Sequence, residues 1–143
     1  MLKHSPQKAV HRIIDANINR VKEGLRVLEE ITRFILQNRQ LTAGLKIIRH
    51  NIDTVSKRLA PRQQLLKGRN SVTDLGREIF GRELHRKNFQ DIFAANIQRV
   101  KESIRVLEEF SKLKDTRIAK DYKRIRYRIY EIEKKAVLKL YHK

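Results

Sequence analysis

Apolar residues recur along this chain at alternating intervals of three and four, the spacing that places them on one face of an α-helix. In the first window Ile14, Ile18, Val21, Leu25, Leu28, Ile31 and Ile35 form such a stripe. Ser5-Pro6 precedes it, an N-cap with proline at the first helical position, where its missing N–H goes unneeded. A first helix is therefore predicted over about 6–37. After a break at 37–42, Leu45, Ile48, Ile52, Val55 and Leu59 predict a second helix, ending before Ala60-Pro61 because the residue preceding proline resists helical geometry. A third begins near 88–91 and turns Ile92, Ala95, Val100, Ile104, Leu107 and Phe110 inward. A fourth follows Lys114-Asp115-Thr116, where Asp115 or Thr116 can cap, and repeats Ile118, Tyr122, Ile125, Ile129, Ile132 and Ala136.

Residues 16–30 recur at 95–109 with twelve identities in fifteen, at a constant offset of 79. The second helices echo each other too, Leu45 to Ile52 resembling Tyr122 to Ile129. The prediction is an all-α, four-helix bundle made of two duplicated helical hairpins, 6–60 and 88–141, with a long central loop at 61–87. All 143 residues then form a single domain, because the length suits one core and not two.

Glycine and proline, five and two in number, lie mostly outside the duplicated segments and leave those windows free to be helical. The absence of cysteine excludes disulfides and thiolate zinc sites, and the five histidines show no close metal-ligand spacing. No apolar run is long enough for a membrane span and nothing resembles a signal peptide, so a soluble, cytoplasmic protein is expected. Lys and Arg number 34 against 16 Asp and Glu, a formal charge of +18 that raises the local concentration of anions. Ten of the 27 residues from Arg117 onward are Lys or Arg, which suits either a solvated face or a binding surface.

The duplication preserves polar groups that a bare helix could exchange freely: Asn17/Asn96, Arg20/Arg99, Glu23/Glu102 and Arg26/Arg105. On a helical wheel Asn17, Gly24 and Arg20 border the apolar stripe, and Asn96, Ser103 and Arg99 occupy the same border in the second copy. Two amides and two guanidiniums would then sit at comparable places on facing helices. These groups either bind a ligand or tie the hairpins together. Arg26, Glu29, Arg105 and Glu108 point further from the core and are read as scaffold, with ion pairs along the helix worth ~0.3 kcal/mol each. At Gly24, where glycine costs ~1 kcal/mol relative to alanine, close helix approach is the expected reason.

The central loop breaks the symmetry. Within eight positions Arg69, Ser71, Asp74 and Gly76 offer a cation, a hydroxyl, a carboxylate and a residue free to take positive φ. Such a set can hold a phosphate and a magnesium ion. By composition alone it equally describes a turn into a helix capped by Ser71, Thr73 or Asp74. No Walker pattern, glycine-rich phosphate loop or nucleophile elbow is present.

Arg12-Ile13-Ile14-Asp15-Ala16-Asn17, Arg20 to Glu30, Arg69 to Gly76, Ala95-Asn96 and Glu102 to Glu109 resemble, in order and spacing, a helical hydroxymethylpyrimidine phosphate kinase family of thiamine biosynthesis. That family also occurs as the N-terminal domain of some bacterial thiamine-phosphate synthases. The resemblance covers roughly residues 12–130. It implies phosphoryl transfer from ATP, with Mg2+, to hydroxymethylpyrimidine phosphate, giving the diphosphate. The synthase barrel does not follow Lys143, so the synthase activity itself is not expected.

On this reading Arg20, Arg69 and Arg99 clamp phosphates, Asp74 is the magnesium ligand or base, and Ser71 and Gly76 belong to the phosphate-binding loop. Asn17 and Asn96 would read the pyrimidine ring, since an amide offers both a donor and an acceptor. Positioning and charge neutralisation suffice for such chemistry without a covalent intermediate. A homodimer is the expected assembly. Two rival readings come from other classes: a basic helical nucleic-acid-binding protein, and a non-catalytic interaction domain associated with thiamine-phosphate synthase.

Overall fold

A computed structural model of the chain describes residues 6–78 and 84–142. Its regular structure there is wholly helical, as the periodicity predicts. Helix α1 (Pro6–Glu30) runs on into a π-helical turn, Ile31–Ile35; α2 (Arg39–Leu59) and the short α3 (Arg62–Gly68) follow. A 3-10 turn, Leu75–Arg77, lies in the connector before α4 (Phe89–Ser111) and α5 (Thr116–Tyr141). Asn38, Asn88 and Asp115 cap α2, α4 and α5 by accepting from the N–H groups of Leu41, Asp91 and Arg117. The proposed cap at Ser5 lies outside the described residues.

The four long helices contact one another in a ring, α1 on α4, α4 on α5, α5 on α2 and α2 on α1. Val21, Leu25, Leu28, Leu45, Ile48, Ile52, Val100, Ile104, Leu107 and Ile129 are sealed inside it. Gly24 lies where α1 meets α4: a Cβ there would stand 2.7 Å from Val100 Cγ2 and 3.3 Å from the Asn96 carbonyl oxygen. Close approach is thus the reason for that glycine. Among the described residues no helix is long and apolar enough to cross a membrane.

The halves share polar contacts as well as sequence. Glu29 on α1 accepts a forked guanidinium from Arg49 on α2, at 2.8 and 3.2 Å. Seventy-nine positions on, Glu108 accepts from Arg126 on α5, at 2.9 and 3.4 Å. Thr32 and Ser111 each return their hydroxyl to the carbonyl three residues back, those of Glu29 and Glu108. Glu29 and Glu108 are each only 5% exposed. This corrects their placement away from the core: each is the buried clasp of its own hairpin, while Arg26 and Arg105 do face solvent.

Two local features depart from the expected pattern. The connector opens with α3, whose single apolar turn buries Leu65 and seats Gly68 against His11 and Arg12 of α1. The first helix widens after Glu30, where Thr32 bonds both to the Glu29 carbonyl and to the Thr42 hydroxyl on α2. That bond and the backbone N–H of Asn38, which donates to the Thr32 carbonyl at 2.9 Å, accommodate the π-helical turn. Gln37 then adopts φ 50 as the chain reverses into α2.

Candidate functional site

Seating α3 across the first turns of α1 lays the chain from Arg69 to Asp74 alongside that helix, leaving a cleft of ≈ 440 Å³. Arg12, Asn17 and Arg20 line one wall from α1, and Arg69, Asn70, Ser71 and Asp74 line the other. Asp15 forms the floor, only 8% exposed. Arg69 grips it with a fork, Nε on Oδ2 and an Nη on Oδ1, both at 2.7 Å. Hydrogen bonding to Asp15 raises the guanidinium pKa of Arg69, with burial opposing the shift. Arg12 donates to the Asn70 carbonyl at 3.4 Å, and Asn70 Oδ1 accepts from the Thr73 N–H at 3.2 Å.

Five expected site residues therefore converge: Asn17, Arg20, Arg69, Ser71 and Asp74. Each has a defined state. Asn17 is 4% exposed, donates to the Ile13 carbonyl at 2.8 Å and accepts from Arg20 at 3.4 Å. These bonds use one N–H and one lone pair of its amide and orient Arg20. Arg20 is exposed and makes no ion pair among the described residues, so its charge is available to an anion. Asp74 uses Oδ1 to cap the 3-10 turn through the Gly76 N–H at 2.8 Å, leaving Oδ2 without a partner among the described residues.

The remaining three lie elsewhere. Gly76 stands behind Asp74, outside the lining, and takes no positive φ; it serves through its N–H alone. Asn96 and Arg99, expected to join the cleft, do not line it. The Asn96 carbonyl packs beside Gly24, seven residues and therefore ~10 Å along α1 from Asn17. Asn96 repeats the Asn17 bond, donating to the Ile92 carbonyl at 2.8 Å.

Arg12, Asp15 and Asn70 are the cleft residues that motif reading passed over. A signal was present: Arg12 and Asp15 become Asp91 and Ala94 in the second copy. Only the first half thus has a carboxylate to anchor the connector arginine. Arg12, Arg20 and Arg69 oppose Asp15 and Asp74, and Asp15 is already neutralised. What the cleft presents to a ligand is guanidinium donors beside one open carboxylate oxygen, a set suited to phosphate oxygens and a hard cation. Among the described residues no three His, Cys, Asp or Glu side chains cluster to hold a metal alone.

An all-α protein with an arginine-lined cleft under a short covering helix is the class that fold and site define. The chain belongs to the ThiD2 family, whose model matches residues 12–135. It is 40% identical over 132 residues to a thiamine-phosphate synthase of Nostoc punctiforme, covering 92% of this chain and 36% of that protein. It is 40% identical over 128 residues to one of Synechocystis, covering 87% and 35%, and 37% identical over 138 residues to one of Rhodopirellula baltica, covering 96% and 36%. The chain thus spans about a third of the length of these curated relatives. No solved structure matches it significantly.

Proposed function

We propose that this chain works in thiamine biosynthesis as an ATP-dependent kinase, phosphorylating hydroxymethylpyrimidine phosphate to the diphosphate. The carrying observation is the cleft that Arg12, Arg20 and Arg69 line together with Asp74. Similarity to thiamine-phosphate synthases over a third of their length supports the pathway; the phosphoryl chemistry rests on the cleft and on the family resemblance of its motifs.

The acceptor is a phosphate monoester, largely dianionic near neutral pH because its second pKa is about 6. Its oxygen is therefore already a nucleophile and needs no base, which makes Asp74 a cation ligand. One carboxylate fits magnesium carried in on a nucleotide, since such ions take one or two carboxylates and complete their shell with phosphates and water. Magnesium, when bound, neutralises charge on the phosphate oxygens. Arg20 and Arg12 oppose the repulsion between two polyanions, and Arg69, held by Asp15, offers its remaining N–H groups without reorganisation. Asn17 keeps Arg20 aimed along the wall.

The test is acceptor-dependent ADP release by the purified chain with ATP and Mg2+. Activity is expected, falling about a hundredfold in Asp74→Ala and in Arg20→Ala. No ADP release from the wild-type chain would leave the interaction-domain reading standing. The nucleic-acid reading draws on the exposed face of α5, where Lys120, Lys123, Arg124 and Arg128 surround Tyr127. It predicts polynucleotide affinity that falls steeply with salt and ignores Asp74.

A further inference from the structure

The Asp15–Arg69 pair is also the wall of a second cleft. Asp15 and Arg69 are the two residues common to both linings. On the far side of the pair lie ≈ 330 Å³ enclosed by α1, α2 and α3. Helix α1 serves both spaces because successive residues step 100° around its axis, sending Asn17 and Arg20 to one side and Asn19 and Lys22 to the other.

Cations dominate this space as well. Lys22 is held by Asp53 at 2.8 Å and Arg69 by Asp15, whereas Lys57 and Arg62 make no ion pair among the described residues. Leu65 supplies an apolar wall, and Asn19 donates to Asp15 only at 3.5 Å, its amide oxygen having no donor among the described residues.

We propose that this second cleft binds the phosphoryl acceptor, a monophosphate ester of a small amino-bearing aromatic ring, while the first binds the nucleoside triphosphate. The assignment rests on the kinase reading above. Size favours it, the larger space going to the larger ligand. Charge agrees: Lys57 and Arg62 match one dianionic phosphate, whereas Arg12 and Arg20, which make no ion pair among the described residues, and a magnesium ligand suit a polyphosphate. The Asn19 oxygen can accept from an exocyclic amine, and Leu65 offers the ring a face.

Arg69 then stands at the junction. Two of its five N–H groups hold Asp15, leaving three at the boundary the phosphoryl group must cross. An acceptor phosphate oxygen bonds to the γ-phosphorus as the bond from γ-phosphorus to the β,γ-bridging oxygen breaks. The electron pair leaves with the nucleoside diphosphate, and nothing else is consumed.

Binding of two probes to the full chain tests this: hydroxymethylpyrimidine phosphate and a non-hydrolysable ATP analogue, each titrated alone. The double variant Lys57→Ala/Arg62→Ala should weaken the pyrimidine monophosphate at least tenfold and leave the analogue within twofold. Arg12→Ala/Arg20→Ala should do the reverse, and the exposed positions of all four side chains except half-buried Arg12 favour folded variants, checked by circular dichroism. Loss of both ligands in the Arg12/Arg20 variant with neither affected in the other means a single shared cleft and overturns the proposal. So does a wild-type chain that does not bind the monophosphate. ADP release separates the two readings. An active enzyme whose KM for the monophosphate is unmoved by Lys57→Ala/Arg62→Ala keeps the kinase and loses the second cleft. An inactive wild-type chain with the reciprocal binding pattern does the opposite.

Discussion

Arg69 clasps Asp15 across 54 residues of chain, Nε and one Nη each 2.7 Å from a carboxylate oxygen. The pair joins the connector to α1, floors one cleft and walls another. Its partners differ in setting, for the Asp15 side chain is 11% exposed and that of Arg69 43%.

That difference sets the response to mutation. Arg69→Ala strands a buried carboxylate, which costs about 3 kcal/mol when one member of a buried pair is removed. Asp15→Asn leaves a guanidinium that can rehydrate and an amide that can still accept, so about 1 kcal/mol is expected. Urea denaturation of both variants measures the order. Equal losses would show that the carboxylate is better solvated than its burial implies. Limited proteolysis of residues 61–78 should accelerate in both, since this clasp ties the connector down.

The clasps inside each hairpin behave differently because both partners are enclosed. The side chains of Arg126 and Glu108 are 10% and 7% exposed. Arg126→Ala should therefore destabilise by about 3–5 kcal/mol, while Glu108→Leu/Arg126→Met, which removes both charges, recovers most of that loss. A double-mutant cycle by chemical denaturation reads the coupling directly. A double variant as unstable as the single one would show that packing around the ion pair, and not its charge, holds the hairpin.

At the α1–α4 crossing, Gly24→Ala sets two effects against each other. Alanine gains ~1 kcal/mol of helix propensity. Its Cβ, however, would sit 2.7 Å from Val100 Cγ2 and 3.3 Å from the Asn96 carbonyl oxygen. Overpacking of this kind costs roughly 1–3 kcal/mol, so the substitution should lower Tm. Adding Val100→Ala removes the nearer clash and should return part of the loss, a recovery that helix propensity alone does not produce.

What the one-dimensional pattern carried was periodic: four long amphipathic helices, the break near Gln37, the start of the third near Asn88 and the cap at Asp115. What it missed depends on partners distant in sequence. Glu29 reads as solvent-facing on its own helix and is buried only because Arg49, twenty residues on, reaches it. Helix α3 has a single apolar turn, too little for a period to emerge from Arg62–Gly68. The site was half legible for the same reason. The duplication marked Asn17 and Arg20, which line the cleft, but it marked Asn96 and Arg99 equally, which do not. The residue that separates the halves, Asp15 against Ala94, lies just outside the matching segment.

Alkaline pH acts on the contact between α5 and α2. Tyr122 is fully buried, its hydroxyl 2.9 Å from that of Ser56 between α5 and α2. Burial pushes its pKa up from 10.0 to about 12, with the Ser56 hydrogen bond and the charge of Arg58 pulling the other way. The folded protein thus holds the proton more tightly than the unfolded chain. Its contribution is complete below pH 10 and fades as pH rises toward 12, because the unfolded chain ionises first. Two units correspond to roughly 3 kcal/mol. Lysines also titrate in this range, so the useful quantity is the difference between wild type and Tyr122→Phe, each denatured with urea from pH 9 to pH 12. Below pH 10 the wild type should be more stable by about 1 kcal/mol, the worth of the Ser56 hydrogen bond. The gap should close and then invert as pH climbs, since phenylalanine has no proton to lose. A constant gap across the range would mean that the Tyr122 phenol ionises no less readily in the fold than outside it.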